Sequence, residues 1–134
     1  MLRSCIGIVV LLAALACTGG TPERTGTAVA TEQGFFLVTA KPGIDPLKIN
    51  QIHEWRVHLT DKHGKPIDEA MIAVDGDMPE HQHGLPTQPE LTRRLGDGDY
   101  LIEGVKFSMP GLWQLTFTIQ YAGVTDSVTL ELTL

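Results

Sequence analysis

The chain has 134 residues, of which 43% are hydrophobic and 6% aromatic, and a formal net charge of −6. That acidic balance argues against nucleic acid and anionic membrane surfaces as electrostatic partners. The length suits one domain with a single core once the N-terminal segment is set aside.

Arg3 followed by the apolar run Ile6 to Ala16 has the charge and length of an export signal. A membrane-spanning helix needs about twenty apolar residues, so this run is too short to be one. It closes on Ala14-Leu15-Ala16-Cys17, which resembles a bacterial lipobox, where the chain is cut before the Cys and the Cys takes the lipid. Ala14 stands where lipoproteins favour Leu, and Ala14-x-Ala16 also suits ordinary signal peptidase, so a soluble exported product stays open. Cleavage before Cys17 removes Arg3 and Cys5 and leaves nine basic against sixteen acidic residues, a charge of −7. With Cys17 acylated no thiol remains, so the fold must rest on its core and any soft-metal site must use Met and His. Thr18 to Thr31 is small, polar and aperiodic, and reads as a tether. The expected organisation is a signal peptide at 1–16, a lipid-anchored linker at 17–32 and one folded domain at 33–134, in the cell envelope with the domain facing periplasm or exterior.

Within that domain alternation dominates. Phe35 to Lys41 predicts a first strand, ended by Lys41-Pro42-Gly43. His53 to Thr60 predicts a second, with Trp55, Val57 and Leu59 inward, turning at Asp61 to Pro66. Ala70 to Asp77 is a third, with Ile72 and Val74 inward; Leu91 to Leu95 is a short fourth, turning at Gly96-Asp97-Gly98; Tyr100 to Phe107 is a fifth. Trp113 to Tyr121 alternates throughout, Val124, Val128, Leu130, Leu132 and Leu134 repeat the pattern, and the two runs meet in a hairpin at Ala122-Gly123. No segment carries a helical stripe. Seven short strands separated by Gly, Pro and Asp turns predict an all-β, immunoglobulin-like β-sandwich of antiparallel strands, with a small barrel as the competing architecture.

If successive strands run up and down, three connections collect at one end. They carry His53, then Met78, His81 and His83, then Met109, while His58 and His63 fall toward the other end. Thioether and imidazole donors suit copper, above all Cu(I), better than the oxygen-seeking Mg²⁺ or Ca²⁺. An extended His81-x-His83 would point both imidazoles the same way, about 7 Å apart at Cα. The plainer reading stands beside this: a Met in such a place is commonly core filler, and loop histidines are commonly solvated. His53 shares inward parity with Trp55 and reads either as a ligand or as a hydrogen-bonded core residue. No Ser/His/Asp or Cys/His arrangement, phosphate loop or HExxH motif occurs, so no catalytic role is expected.

The stretch from His53 to Trp113 resembles the YtkA-like/FixH-like family of exported bacterial domains. The resemblance rests on His53-x-Trp55, the turn from Asp61 to Pro66, and Met78-Pro79-x-His81-x-His83-Gly84-Leu85-Pro86-Thr87. It continues through Leu95-Gly96-Asp97-Gly98-x-Tyr100 and Glu103-Gly104-Val105-x-Phe107-x-Met109-Pro110-Gly111-x-Trp113. It implies a sandwich outside the cytoplasm and a link to copper handling or to assembly of copper-containing respiratory enzymes. FixH-type proteins keep an N-terminal membrane helix, which this chain replaces with a lipobox-like signal. Two expectations follow: an envelope lipoprotein that binds copper, with an envelope protein or cuproenzyme as partner, or a metal-free module that binds a protein through its loops.

Overall fold

The structure is a computed structural model and describes residues 26–134. The expected signal peptide and the acylation site at Cys17 lie outside the described residues. Among the described residues there are nine strands: β1 (Val29–Ala30), β2 (Phe36–Pro42), β3 (His53–Asp61), β4 (Met71–Met78), β5 (His83–Gly84), β6 (Glu90–Gly96), β7 (Asp99–Val105), β8 (Leu112–Tyr121) and β9 (Val124–Thr133). They form two antiparallel sheets, ordered β1-β2-β3-β7-β6 and β5-β4-β8-β9. Without β1 and β5 this is the ABED/CFG arrangement of an immunoglobulin constant-type sandwich. Among the described residues no strand joins both sheets, so the fold is a sandwich and not a closed barrel.

The alternation read from the sequence is what fills the space between the sheets. Trp55, Val57 and Leu59 on β3 face Trp113, Leu115, Phe117 and Ile119 on β8, and all are buried. Antibody domains join the equivalents of β3 and β8 by a disulfide. Here Trp55 packs on Phe117 instead, with ring centroids 6.2 Å apart. Tyr100 closes the opposite end of the core. Its hydroxyl donates to the Ile67 carbonyl and accepts the Ala70 N–H, and burial raises the pKa of the phenol, opposed by the Ala70 bond.

The turns follow from local chemistry. Asp61 accepts the N–H groups of His63 at 2.8 Å and Lys65 at 2.9 Å, folding the connection after β3 back on itself. Ala122 and Gly123 take φ of 49° and 77°, as a two-residue type I′ hairpin between β8 and β9 requires. A bulge separates the β3–β7 pairs His53↔Val105 and Trp55↔Ile102. Gly104, at φ 92°, takes up the extra β7 residue, so that Ile102 and Val105, three apart in the chain, both face inward opposite Trp55 and His53.

The folded unit reaches further toward the N-terminus than Gln33. Val29–Ala30 pairs with β2, and Thr31 is buried against Asp126 of β9, whose carboxylate accepts the Thr31 hydroxyl at 2.6 Å. Composition could not reveal this, because small polar residues look alike in a tether and in a clamped edge.

Candidate metal centre

The end of the sandwich expected to collect the donors does so. β2 ends there at Pro42, β3 begins at His53, β4 ends at Met78, β7 ends at Val105 and β8 begins at Leu112. Phe107, fully buried, ties the two sheets together at this end: its ring lies 5.6 Å from His53 and 5.2 Å from Trp113. The Asn50 N–H donates to the Phe107 carbonyl at 2.7 Å, so the 43–52 connection lies beside the 106–111 connection.

Met78 is the last residue of β4 and only 1% exposed. It shares inward parity with Ile72, Val74 and Gly76, which is why its thioether enters the core. The chain then turns back through a four-residue loop. The Met78 carbonyl accepts the N–H groups of His81 at 3.1 Å and Gln82 at 2.9 Å, and Gln82 takes φ 53° to complete the reversal. Pro79 opens the loop with a φ suited to that position. β5 then pairs back on β4, with Met78↔His83 and Asp77↔Gly84 in register.

That register carries chemical meaning. Directly paired residues project on the same face with Cβ atoms about 5 Å apart, so the exposed imidazole of His83 starts beside the buried thioether of Met78. The extended His81-x-His83 geometry does not occur. His81 belongs to the loop and His83 to the strand, with a left-handed residue between them, because the hairpin must close within four residues.

The second Met-Pro pair lies at the same place. Met109 is partly buried against the core, and the Trp113 indole N–H donates to its carbonyl at 3.0 Å, fixing the turn. Gly111 sits over the end of the Met78 side chain: a Cβ built on it would lie 2.9 Å from the Met78 methyl. Met78, His83 and the Met109-Pro110-Gly111 turn thus share one corner, with His81 on the adjoining loop.

His53 is placed differently. Its Nε2 accepts the Trp55 indole N–H at 3.0 Å, and its Nδ1 faces the Gln51 carbonyl at 3.1 Å. An indole N–H only donates, so Nε2 is the bare nitrogen and Nδ1 carries the proton. Both nitrogens are engaged in a 6%-exposed ring. His58 pairs with Asp99 at 2.8 Å on the outer face of the first sheet, away from this corner. Among the described residues no three His, Cys, Asp or Glu side chains gather as a metal site. A site at this corner therefore needs thioether donors.

A family model described as YtkA-like matches residues 27–118. The chain belongs to the YtkA-like family. The match spans β1 through most of β8 and so includes the corner of Met78, His83 and Met109. No curated protein and no solved structure matches the chain.

Proposed function

We propose that this YtkA-like domain is an envelope protein, tethered through an acylated Cys17, that binds one soft metal ion, Cu(I) foremost, for copper handling or delivery to a cuproenzyme. The observation that carries the reading is the pairing of Met78 with His83 beneath the turn that bears Met109. Two thioethers and an imidazole make a neutral, soft donor set, and such a set favours Cu(I) over harder cations. His81, on the loop beside them, is the candidate fourth donor. The corner also has the division of labour that metal exchange needs: Met78 is held in the core while His83 is open to solvent.

Cu(I) titration of the protein against a chromophoric Cu(I) chelator tests this. One ion should bind per chain, and Met109→Leu and His83→Ala should each weaken binding by about tenfold or more, about 1.4 kcal/mol. Leu-for-Met exchange costs under about 1.5 kcal/mol in stability, so a folded Met109→Leu variant reports a lost ligand and not a lost fold. Imidazole ligates only when neutral, so acid should weaken binding in the parent more than in His83→Ala. Parent-like affinity in both variants would rule the site out.

A further inference from the structure

The four outermost strands of the two sheets are not equally protected. β1 and β5 have two residues each, too short to template a partner. β6 is broken by two register shifts against β7 and carries Arg93 and Arg94. Bulges, short edges and basic side chains are the usual devices that block edge-to-edge pairing. β4 leaves some of its own flank beyond β5, but the Leu85 N–H donates to the Gly76 carbonyl and Arg94 to the Ala70 carbonyl, closing that flank at both ends. β9 has none of these devices. It runs ten residues in unbroken register with β8 and holds no Pro, Lys or Arg.

The direction of its free groups can be read from the ladder. Gly111 and Leu134 exchange both backbone hydrogen bonds. Alternation along an antiparallel pair then turns the N–H and C=O of Leu132, Leu130 and Val128 toward β8, and those of Thr133, Glu131, Thr129 and Ser127 away from it. Ser127 checks this assignment: its carbonyl accepts the Glu32 N–H at 2.8 Å, and its N–H donates to the Asp126 carboxylate at 2.9 Å. The lower part of the edge is thus closed by the N-terminal hairpin. Among the described residues no backbone group pairs with the outward N–H and C=O of Thr129, Glu131 and Thr133.

We propose that this stretch of β9 is a docking edge for one extended segment of a partner protein, added antiparallel as a further strand, with apolar side chains inward and a basic side chain opposite Glu131. Leu130 and Leu132 are only partly buried at the rim of the core, so alternating apolar residues on the incoming strand would complete their cover. The outward face is acidic and hydroxyl-bearing: Glu131 lies beside Gln114, and Asp75, Asp77, Thr116 and Thr118 line a hollow on the same sheet. A second copy of the chain is the poorer occupant. Pairing all three outward residues about a two-fold axis sets Glu131 against Glu131, and like charges directly opposite are destabilising. A shift that avoids that clash runs into the closed edge at Ser127 or leaves fewer bonds.

The test uses the ¹⁵N-labelled protein and the synthetic peptide Lys-Val-Thr-Val-Lys-Val-Thr-Val-Lys, whose central Lys would face Glu131. Binding should shift the amide signals of Thr129, Glu131 and Thr133 and slow their hydrogen exchange. Glu131→Lys should weaken binding by about fivefold at low salt. Thr133→Pro removes one outward donor without touching the β8 ladder and should weaken it further, with an unchanged circular dichroism spectrum. No shifts at millimolar peptide, or shifts confined to other strands, would overturn the proposal. Concentration-dependent broadening of these three amides without peptide would overturn it in favour of a homodimer.

Discussion

The methyl group of Met78 lies directly beneath Gly111, so close that a Cβ at position 111 would stand 2.9 Å from it. Carbon atoms pack at about 3.5–4.0 Å, so the Met-Pro-Gly turn and the end of β4 fit only because residue 111 has no side chain. Its φ of 128° points to the same residue type. Gly111→Ala should therefore destabilise the fold by about 1–3 kcal/mol through backbone strain, plus about 1 kcal/mol through displacement of the flexible Met78 side chain. Urea unfolding measures the sum. In a Met78→Ala background the second part should vanish, giving a coupling of about 0.5–1 kcal/mol. Strict additivity would show that Met78 is not what the new methyl meets.

His53 and Trp55 make a separate case. The indole N–H has His53 Nε2 as its partner at 3.0 Å, inside a core where an orphaned donor is expensive. His53→Phe keeps a ring against Phe107 but leaves that N–H unpaired, which costs about 1–3 kcal/mol. Thermal unfolding should show the loss, while Cu(I) affinity should stay at the parental value. A clear fall in affinity without unfolding would instead mean that His53 gives up the indole and serves as a ligand.

Much of this architecture was legible because alternation is a strong signal where one strand face is dry. Trp113, Leu115, Phe117 and Ile119 declare their inward face unambiguously, and so do Trp55, Val57 and Leu59. The gathering of Met78, His83 and Met109 at one end followed from strand direction alone. What stayed hidden depended on single backbone conformations. Gln82 at φ 53° converts His81-x-His83 from an extended pair into a loop residue and a strand residue, and nothing in Glu-His-Gln-His announces a left-handed glutamine. Asp126 stayed hidden for another reason. It interrupts the apolar face between Val124 and Val128, and its partners Thr31, Gln33 and Phe35 are more than ninety positions away in the chain.

That buried carboxylate predicts an acid limb in stability. Burial alone would raise the Asp126 pKa, but hydrogen bonds from the Thr31 hydroxyl and from the Gln33, Ser127 and Phe35 N–H groups outweigh it and hold the carboxyl below its ordinary value. Asp61, half-buried at a surface turn, is lowered too, first by the Lys65 N–H bond, but solvent screening makes its share small. A carboxylate lowered on folding contributes stability that is full above its unfolded value near 3.9 and is lost as pH falls through the folded one. The protein should therefore hold its melting temperature down to about pH 4 and lose stability below that. Asp126→Asn should lose about 2 kcal/mol at neutral pH, since four donors then share one oxygen acceptor. Its acid limb should be flatter than the parent's. An equally steep limb in the variant would place the acid sensitivity elsewhere.

The hairpin at Ala122-Gly123 offers the opposite kind of prediction, a gain. Both central residues of a type I′ turn need positive φ, and here they have 49° and 77°. Gly123 adopts this freely, but Ala122 carries a Cβ that crowds the backbone in the left-handed region, at about 1 kcal/mol. Asparagine tolerates that region, and Asn-Gly is the favoured pair for this turn. The side chain at 122 is exposed, so no core contact is lost by changing it. Ala122→Asn should stabilise the protein by about 0.5–1 kcal/mol, raising the melting temperature of a domain this size by about 2–8 °C. Ala122→Pro should do the reverse, because proline fixes φ near −65° and cannot enter this turn. Because β9 sits at the edge of its sheet and depends on β8 for its pairing, the Asn variant should also slow exchange of the β9 amides that face β8, those of Val128, Leu130 and Leu132. A neutral or destabilising Ala122→Asn would mean that the strain attributed to this turn is absent.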